Sequence, residues 1–327
     1  MPEKPEVQCY ADSLHQILAG QLISKVNFGE AWTNKNKLAK GYQQLKDALP
    51  LRIVKVWSKG KKIIFDFEQD YYMVNYLGME GKWSSKPLKH SHIHVDYIQK
   101  EEQKSVWYND TRYFGDFEFY HSQQELNERL EKIGPDLLND NVSIEDWLQV
   151  TTSKRVAKKQ VCEFLMDQQY FSGVGNYIKS EALYRARLRP DVTLDQLSQE
   201  MLIRLLTAVK RVIVKSYEAR GASLHSYFDF DGNLGGFEVA IYGYDQDAKG
   251  NTIIKSNYKD DRTTYWVPEV QILPSKWQGP EKLCFTRLQS KGKDKYAVWE
   301  LRNFCMQLNI GTAGTRLVLI KKLLELQ

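Results

Sequence analysis

Apolar and polar residues partly alternate through the first 120 or so residues, and this period of two predicts β-strands. The stretches concerned are rich in β-branched and aromatic residues and are bounded by turns such as SKGK and GMEG. They are LRIVKVW, KKIIFDFEQDYYMVNYLGM, HSHIHVDYI and SVWYNDTRYFGDFEFY. Short turns between such strands favour antiparallel pairing, so the pattern predicts an antiparallel β-sandwich.

From about residue 122 the apolar residues recur every three or four positions, as in amphipathic helices. The helical segments are QQELNERLEKIG, SIEDWLQ, KKQVCEFLMDQ, NYIKSEALYRARL and LDQLSQEMLIRLLTAVKRVIVKSYEA. A strand-turn-strand unit follows in FEVAIYGYDQDAKGNTIIKSNY and RTTYWVPEVQ, with DAKGN as its predicted turn. We therefore expect an α+β multidomain protein that ends, from about Tyr296, in two small helices around NIGTAG.

Composition places the chain among ordinary globular proteins, with 327 residues, 42% of them hydrophobic and 27% charged. It has no apolar run of membrane-spanning length and no signal-like start, so we expect an intracellular protein that binds no membrane; nucleus and cytoplasm stay open. The four cysteines are widely spaced without a CxxC pair. Reduced, buried thiols are therefore expected in place of a disulfide framework or a cysteine zinc site.

Positive charge is concentrated at the C-terminal end. Residues 275–327 hold 10 of the 46 Lys and Arg but 4 of the 41 Asp and Glu, a net +6, which leaves the first 274 residues at −1. A basic tail on a nearly neutral body suits binding to a polyanion. A solvated basic surface explains the charge equally well.

A glycine-rich turn stands between two predicted helices in FSGVGNYIKSEALYRARLRP. It is not a dinucleotide-binding loop, because Ile178 occupies the third glycine position and the preceding segment is helical. The side chain of Asn176 and the free N–H groups at the start of the second helix would attract an anion. A turn that merely joins two packed helices is the structural alternative.

Eight segments, in the same order along the chain to about residue 272, resemble the formamidopyrimidine-DNA glycosylase/endonuclease VIII family. They are MPEKPEV, SKGKK, YLGMEG, KHSHIHV, NDTRYFG, LMDQQYFSGVGNYIKSEAL, GASLHSYFDFDGNLGGF and RTTYWVPEVQ. The resemblance implies a bifunctional DNA glycosylase and AP lyase of base excision repair that acts on oxidised bases. The rival hypothesis is a non-catalytic protein that recognises damaged DNA on the same scaffold.

The resemblance also implies the catalytic groups. Removal of Met1 would leave Pro2 as a terminal secondary amine that attacks the sugar C1′, forms an iminium intermediate and leads to β,δ-elimination. An α-amino group has a pKa near 7.7–8.0 against about 10.4 for lysine, so far more of it is free base at neutral pH. Glu3 would carry protons, Glu6 would support the site from the first helix, and Lys61 would bind phosphate and assist catalysis.

An enzyme that extrudes a base from a duplex must fill the gap that remains. By resemblance the void-filling residues are Met79, Arg112 and Phe114, whereas core packing is the ordinary alternative for Met79 and Phe114. Tyr113 stands where many relatives carry a second arginine, which puts one phosphate contact in doubt. Ser223 lies in a segment that resembles the loop capping flipped purines in the formamidopyrimidine branch.

Asn176 and Arg262 are implied as the residues that grip the phosphates flanking the lesion, with Gly173 and Gly175 in the turn before Asn176. Most relatives fold a β-hairpin finger, which carries the arginine, around four cysteines. This chain has none between residues 162 and 284, so the resemblance is to a zincless finger, and we expect no metal and no cofactor.

Such a finger must be held by its own packing. We expect that packing to come from three aromatic residues, Tyr242, Tyr265 and Trp266.

The tail, from YAVWELRN to the end, resembles a SAP module, a helix-extended-helix DNA binder. The resemblance is carried by Leu301, Gly314, Thr315, Arg316, Leu319 and Leu323. An amphipathic helical hairpin is the alternative, and the basic excess favours the DNA binder.

Four regions are predicted: a catalytic β-sandwich (1–130), a helix-two-turns-helix domain (131–240), a zincless finger (241–272) and the basic SAP-like extension (273–327). The partner is expected to be DNA carrying oxidised bases or abasic sites, bound by a monomer. The preferred lesion stays open, because the capping loop resembles the formamidopyrimidine branch and the zincless finger resembles endonuclease VIII-like members.

Overall fold

A computed structural model describes residues 2–35, 39–224, 227–273, 301, 305 and 315–324. The chain divides into two units, Met1–Ser275 and Lys276–Gln327. In the part of the chain that is described, no helix is both long enough and apolar enough to cross a membrane. The four-region division is finer than these two units and stays a prediction.

Eight antiparallel strands form one sheet in the first unit, in the order β5-β7-β6-β1-β2-β3-β4-β8. The strands are β1 (Leu22–Phe28), β2 (Leu51–Lys59), β3 (Lys62–Phe67), β4 (Tyr72–Tyr76), β5 (Lys82–Ser84), β6 (Ser91–Gln99), β7 (Glu102–Asn109) and β8 (Asp116–Tyr120). The predicted antiparallel sheet of the N-terminal region is thereby confirmed.

The sheet folds back on itself where β1 meets β2. These two strands share two residue pairs, whereas β1 and β6 pair along almost their whole length. Apolar residues of both halves lie in one core, for example Trp83 and Val95 from one half with Phe65 and Met73 from the other. Burial of both inner faces against each other gives the predicted sandwich.

Three helices belong to this part of the chain, namely α1 (Lys4–Leu18), α2 (Glu30–Thr33) and α3 (Tyr42–Ala48). Helix α1 packs into the core through Tyr10 and Leu14. This packing fixes the helix that carries Glu6 in its first turn and follows directly after Pro2 and Glu3.

The second part of the unit is helical, as predicted, with α4 (Gln123–Leu130), α5 (Ile144–Thr151), α6 (Val161–Met166), α7 (Asn176–Arg185) and α8 (Gln199–Glu218). Serines cap three of these helices: Ser122, Ser143 and Ser198 each accept the N–H three residues later. Trp147 of α5 is fully buried and donates its indole N–H to Leu202 O at 2.9 Å, joining α5 to α8.

The predicted turn of the finger is wrong in one respect. The finger strands are β9 (Ile254–Asn257) and β10 (Thr263–Trp266), and they are joined at residues 258–262. DAKGN does form a turn, closed by the Gln246–Thr252 bridge, but it precedes the hairpin. Because Asp-x-x-Gly-Asn is a strong local turn signal, the sequence could not show that a second turn closes the paired strands.

Within the second unit, the described residues include helix α9 (Arg316–Leu324), where Leu319 and Leu323 are buried, as is Leu301. Gly314 and the NIGTAG segment lie outside the described residues. The SAP-like module stays a prediction.

Candidate active site

The N-terminal segment is bound inside the first unit by its acidic side chains. Pro2 and Glu3 are buried, and the N–H of Glu3 donates to Glu6 Oε2 at 2.9 Å, which fixes the start of α1. The predicted catalytic residues Pro2, Glu3 and Glu6 therefore lie together.

The Glu3 carboxylate lies at the N-terminus of α7. Its oxygens accept N–H groups from Gly175 and Tyr177 at 2.8 Å and from Ile178 at 3.2 Å. Free N–H groups and the helix dipole both favour negative charge at this position. The predicted anion site of the glycine-rich turn thus exists, and a carboxylate of the chain itself occupies it.

The two glycines of this turn leave room for the N-terminal segment. A Cβ on Gly175 would lie 2.2 Å from Glu3 Cδ, and one on Gly173, whose φ is +103°, would lie 2.8 Å from Lys4 Cβ. Both distances are too short for any larger residue without displacement. Gly173 and Gly175 therefore place Glu3 against α7.

The protonation state of Glu3 is balanced between opposing effects. Burial raises its pKa from 4.5 to about 7, while the positive charge of Lys61 and the N–H groups of Tyr177 and Ile178 lower it. A carboxyl group with a pKa near neutrality can both give and take a proton under physiological conditions. Such a group is suited to general acid–base chemistry.

Glu6 connects α1 to two other elements. Its Oε1 accepts the Tyr177 hydroxyl at 3.0 Å and the N–H of Ala222 at 2.9 Å. Burial raises the pKa of Glu6, and the hydrogen bonds from Ala222, Glu3 and Tyr177 oppose that increase. Its predicted place as a supporting residue agrees with this geometry.

Lys61 lies in the turn between β2 and β3 with its side chain half-buried. Burial lowers the pKa of Lys61; Glu3 raises it, and the cation Arg262 lowers it. No carboxylate of the described residues forms an ion pair with Lys61. The two neighbouring cations Lys61 and Arg262 leave positive potential available to an anion.

The finger contacts the start of α7 through Asn176. Its Nδ2 donates to Thr263 O at 2.9 Å and lies 3.4 Å from the Tyr242 hydroxyl. Arg262, just before β10, is exposed and interacts electrostatically with both Lys61 and Tyr242. The structure thus brings Asn176, Arg262 and Lys61 to one side of the site; Tyr242 was not among the predicted site residues.

Buried charges hold the finger to α7. Lys179 forms a fully buried ion pair with Asp260 in the turn between β9 and β10. Glu181 is also buried; it pairs with Arg185 at 3.0 Å and accepts the N–H groups of residues 240, 241 and 242 at 2.8–3.1 Å. The sequence analysis did not identify Lys179, Glu181 or Asp260. A helix that is apolar on all sides is buried, so charged residues within it must be paired, and this signal could have identified Lys179 and Glu181.

Apolar and aromatic packing completes the finger. Ile241, Ile253 and Val267 form its small core. The Tyr242 and Tyr265 rings lie 4.8 Å apart, and the Trp266 indole donates to Ser256 Oγ at 3.1 Å. All three predicted aromatic residues pack within the finger. Among the described residues, no group of three or more His, Cys, Asp or Glu is placed to bind a metal ion.

The three predicted void-filling residues lie on two adjoining loops. Met79 is half-buried in the loop after β4, where a Cβ on Gly78 would lie 2.5 Å from the Phe114 carbonyl carbon. The loop after β7 is shaped by buried Asp110, which accepts the N–H groups of residues 112, 113 and 115 at 2.7–3.1 Å. The backbones of the two loops are therefore in close contact at Gly78 and Phe114.

Phe114 is 49% exposed, and the Arg112 guanidinium lies 4.5 Å from its ring centroid. Core packing is thereby excluded for Phe114. Tyr113, which stands in place of an arginine, has φ +57°, and its ring stacks on that of His92 with 4.4 Å between ring centroids. The ammonium of Lys35, an exposed residue, lies 4.7 Å from the centroid of the Tyr113 ring. A cation is therefore present beside Tyr113, although it comes from another loop.

Ser223 is half-buried and donates both its N–H and its hydroxyl to Phe237 O, at 2.9 and 3.1 Å. It directly follows Ala222, which binds Glu6. The loop that contains Ser223 is thus anchored to the catalytic segment at one end. Residues 225 and 226 of this loop lie outside the described residues.

The first unit thus joins a sheet domain with an acidic N-terminal segment to a glycine-turn helix and to a hairpin that carries Arg262. Residues 1–117 match the model of the formamidopyrimidine-DNA glycosylase N-terminal domain, and residues 133–227 match that of its H2TH domain. The Rickettsia bellii formamidopyrimidine-DNA glycosylase is 30% identical over 81% of this chain and 97% of its own. That of Ligilactobacillus salivarius is 26% identical over 84% of this chain and 100% of its own.

Solved structures agree with this relationship. The Thermus thermophilus MutM (Fpg) protein has a TM-score of 0.72 at 25% identity, covering 83% of this chain and 98% of its own. The complex of Lactococcus lactis Fpg with DNA containing an abasic site has a TM-score of 0.71 at 25% identity, covering 83% and 99%. The chain belongs to the formamidopyrimidine-DNA glycosylase family.

It is accordingly a DNA glycosylase of DNA repair, which acts on DNA. The predicted enzyme class, a DNA glycosylase, is thereby confirmed. The predicted monomeric state and the roles of individual site residues stay predictions.

The substitution Glu3→Gln should change the dependence of stability on pH. Because the pKa of folded Glu3, about 7, lies above its reference value of 4.5, its contribution to stability is complete below pH 4.5 and is lost as the pH rises through 7. The glutamine side chain of the variant has no such proton to lose. The unfolding free energy of the variant, relative to wild type, should therefore rise by roughly 1–3 kcal/mol between pH 5 and pH 8 in urea titrations.

Glu145→Gln, on the exposed side of α5, is the matched control and should show no such pH trend. A Glu3→Gln curve parallel to that of wild type would contradict the raised pKa. Glu6 is present in both proteins, but its charge raises the pKa of Glu3, so the comparison reports the titration of Glu3 together with its effect on Glu6.

Glu181→Ala should loosen the finger, because three N–H groups lose a fully buried acceptor. We expect a loss of about 3 kcal/mol in unfolding free energy. Glu269→Ala, an exposed acidic residue after β10, is the control and should have little effect.

EDTA should leave the thermal midpoint of wild type unchanged; a chelator-induced decrease would show that a metal, and not buried ion pairing, holds the finger.

Proposed function

We propose that this glycosylase removes oxidised bases through a covalent intermediate on Pro2. After loss of Met1, the Pro2 nitrogen attacks C1′, the bond from C1′ to the base breaks and the base leaves with a proton. The nitrogen then loses its own proton, and cleavage of the C1′–O4′ bond with protonation of O4′ gives the iminium. β,δ-Elimination then cleaves the DNA on both sides of the sugar. The observation that carries this proposal is the buried Glu3 carboxyl group, directly next to Pro2, with a pKa near 7.

Glu3 is proposed as the proton carrier. It protonates the sugar ring oxygen during ring opening and returns protons during elimination, which requires a group that exists in both states near neutral pH. Helix α7 and Lys61 keep its anion available despite burial.

Lys61, Asn176 and Arg262 are proposed to bind the phosphates around the extruded nucleotide. Support comes from the clustering of two cations without a paired carboxylate of the described residues, and from the exposure of Arg262. Gly173 and Gly175 contribute indirectly, since they allow Glu3 to contact α7. Binding of this kind should weaken with salt, because phosphate contacts release counterions.

Met79, Arg112 and Phe114 are proposed to occupy the gap in the duplex. An exposed phenylalanine with a guanidinium over its ring would lose water contact and gain stacking when inserted between bases.

Ring-opened purines are the proposed substrates. Relatives carry the name formamidopyrimidine-DNA glycosylase, and Lactococcus lactis Fpg has been solved with DNA containing N7-benzyl-Fapy-dG. Ser223 is proposed to cap the flipped base, and the enzyme to act inside the cell.

Borohydride should trap a covalent complex between the processed protein and duplex DNA containing an abasic site. Protein that retains Met1, whose Pro2 nitrogen is an amide, should give no adduct, and Pro2→Gly should give markedly less. Intact mass spectrometry identifies each N-terminus and peptide mapping locates the linkage. Adduct formation at full rate by protein retaining Met1 would refute the proline mechanism while leaving the enzyme class intact.

Phe114→Ala should slow base removal from duplex DNA containing formamidopyrimidine-dG by roughly tenfold, since stacking on one base contributes about 1–3 kcal/mol. Trapping on a single-stranded abasic site needs no flipping and should change less than about twofold. Val54→Ala, at an exposed apolar residue of β2 outside the two loops and outside the proposed capping loop, is the control. Equal losses on both substrates would show that Phe114 serves the chemistry or the fold and fills no gap.

A further inference from the structure

Lys4 is a fully buried lysine directly after the proposed proton carrier. Its ammonium lies 2.7 Å from Asp136 Oδ2, 2.6 Å from Ser58 Oγ and 3.0 Å from Gln8 Oε1, and the side chains of Lys4 and Asp136 are 0% and 1% exposed. All three ammonium protons thus have acceptors. The phosphate-binding and proton-transfer roles proposed above make no use of this charge.

Asp136 links Lys4 to the turn that carries Lys61. The same Oδ2 that binds the ammonium accepts the N–H of Gly60 at 2.8 Å, and Gly60 immediately precedes Lys61. The other oxygen, Oδ1, accepts the N–H groups of residues 138 and 139. One carboxylate oxygen therefore joins the N-terminal segment to the β2–β3 turn.

The main chain of Lys4 binds the glycine-rich turn before α7. Its N–H donates to Gly173 O at 3.1 Å, next to the turn whose N–H groups hold Glu3. Lys4 therefore contacts, within one residue, the elements that position Glu3 and Lys61. Lys61 has no ion pair with any described residue, so its place depends on the conformation of its turn.

Stability alone is a weak reason for such a pair. Burying an ammonium and a carboxylate costs several kcal/mol in desolvation, and exchange for apolar residues is often neutral or stabilising. Position is a stronger reason, because displacement of a catalytic group by about 1 Å can cost about a hundredfold in rate.

We propose that Lys4 is a positioning residue for the lyase reaction: through Asp136 it holds the Gly60–Lys61 turn in place against Pro2 and Glu3. This inference rests on the proposed function, in which those three residues act on the DNA. It adds to them a residue that contacts no substrate and acts through another side chain.

The test uses the full chain with Met1 removed. Single-turnover borohydride trapping on duplex abasic-site DNA gives the rate constant at saturating protein, and fluorescence anisotropy with a tetrahydrofuran abasic analogue gives Kd. Lys4→Met keeps the stem and removes the ammonium. We expect its trapping rate constant to fall roughly tenfold to a hundredfold while Kd changes less than about threefold.

Leu205→Ala is the control for lost stability, since it makes a cavity in buried α8 and should lower the thermal midpoint without slowing trapping. The double variant Lys4→Met/Asp136→Asn removes both charges. It should recover thermal stability relative to Lys4→Met, yet remain slow in trapping. If Lys4→Met alone does not fold, the trapping rate of the double variant tests the proposal instead.

Wild-type trapping by Lys4→Met, or recovery of the rate together with stability in the double variant, would overturn the proposal and leave Lys4 a structural residue. A loss confined to Kd would overturn it too. Failure of the wild-type protein itself to form an adduct would instead refute the proposed covalent mechanism.

Discussion

The arrangement of the site depends on one interaction, the binding of the Glu3 carboxylate by the first N–H groups of α7. Helix α1 and the sheet lie on one side of this contact and the helical part of the chain on the other. Helix ends carry unpaired donors, and a buried carboxylate needs several hydrogen-bond donors to remain tolerable. Each group therefore satisfies the other, and the chain's first residues are fixed between the two.

The same principle, a buried charge satisfied by a neighbouring element, recurs across the described part of the first unit. Lys179 with Asp260 and Glu181 with three finger N–H groups attach the hairpin to α7, and Lys4 with Asp136 attaches the N-terminal segment to the β2–β3 turn. Such pairs add little net stability but are strongly directional. They define where the hairpin and the turn lie, which a loosely apolar contact would not.

Exposed side chains have a different role from these buried pairs. Phe114 and Arg112 are held on a loop whose shape is fixed by buried Asp110, and Arg262 extends from a hairpin anchored by Asp260. Rigid, buried polar groups thus support side chains that are themselves free to meet DNA. Reactive and contacting residues remain available because their neighbours carry the structural constraints.

The sequence by itself determined that a strand-rich part precedes a helical part and that the finger region holds no cysteine, because these follow from local periodicity and composition. The proposed catalytic segment followed from short motifs shared with a family. It did not reveal which turn closes the finger hairpin, since several turn signals stand close together. Nor did it show the partners of Lys4, Lys179 or Glu181. Those pairs join residues far apart in the chain, and whether a charged side chain is solvated or buried is decided only when tertiary packing brings its counter-charge to it.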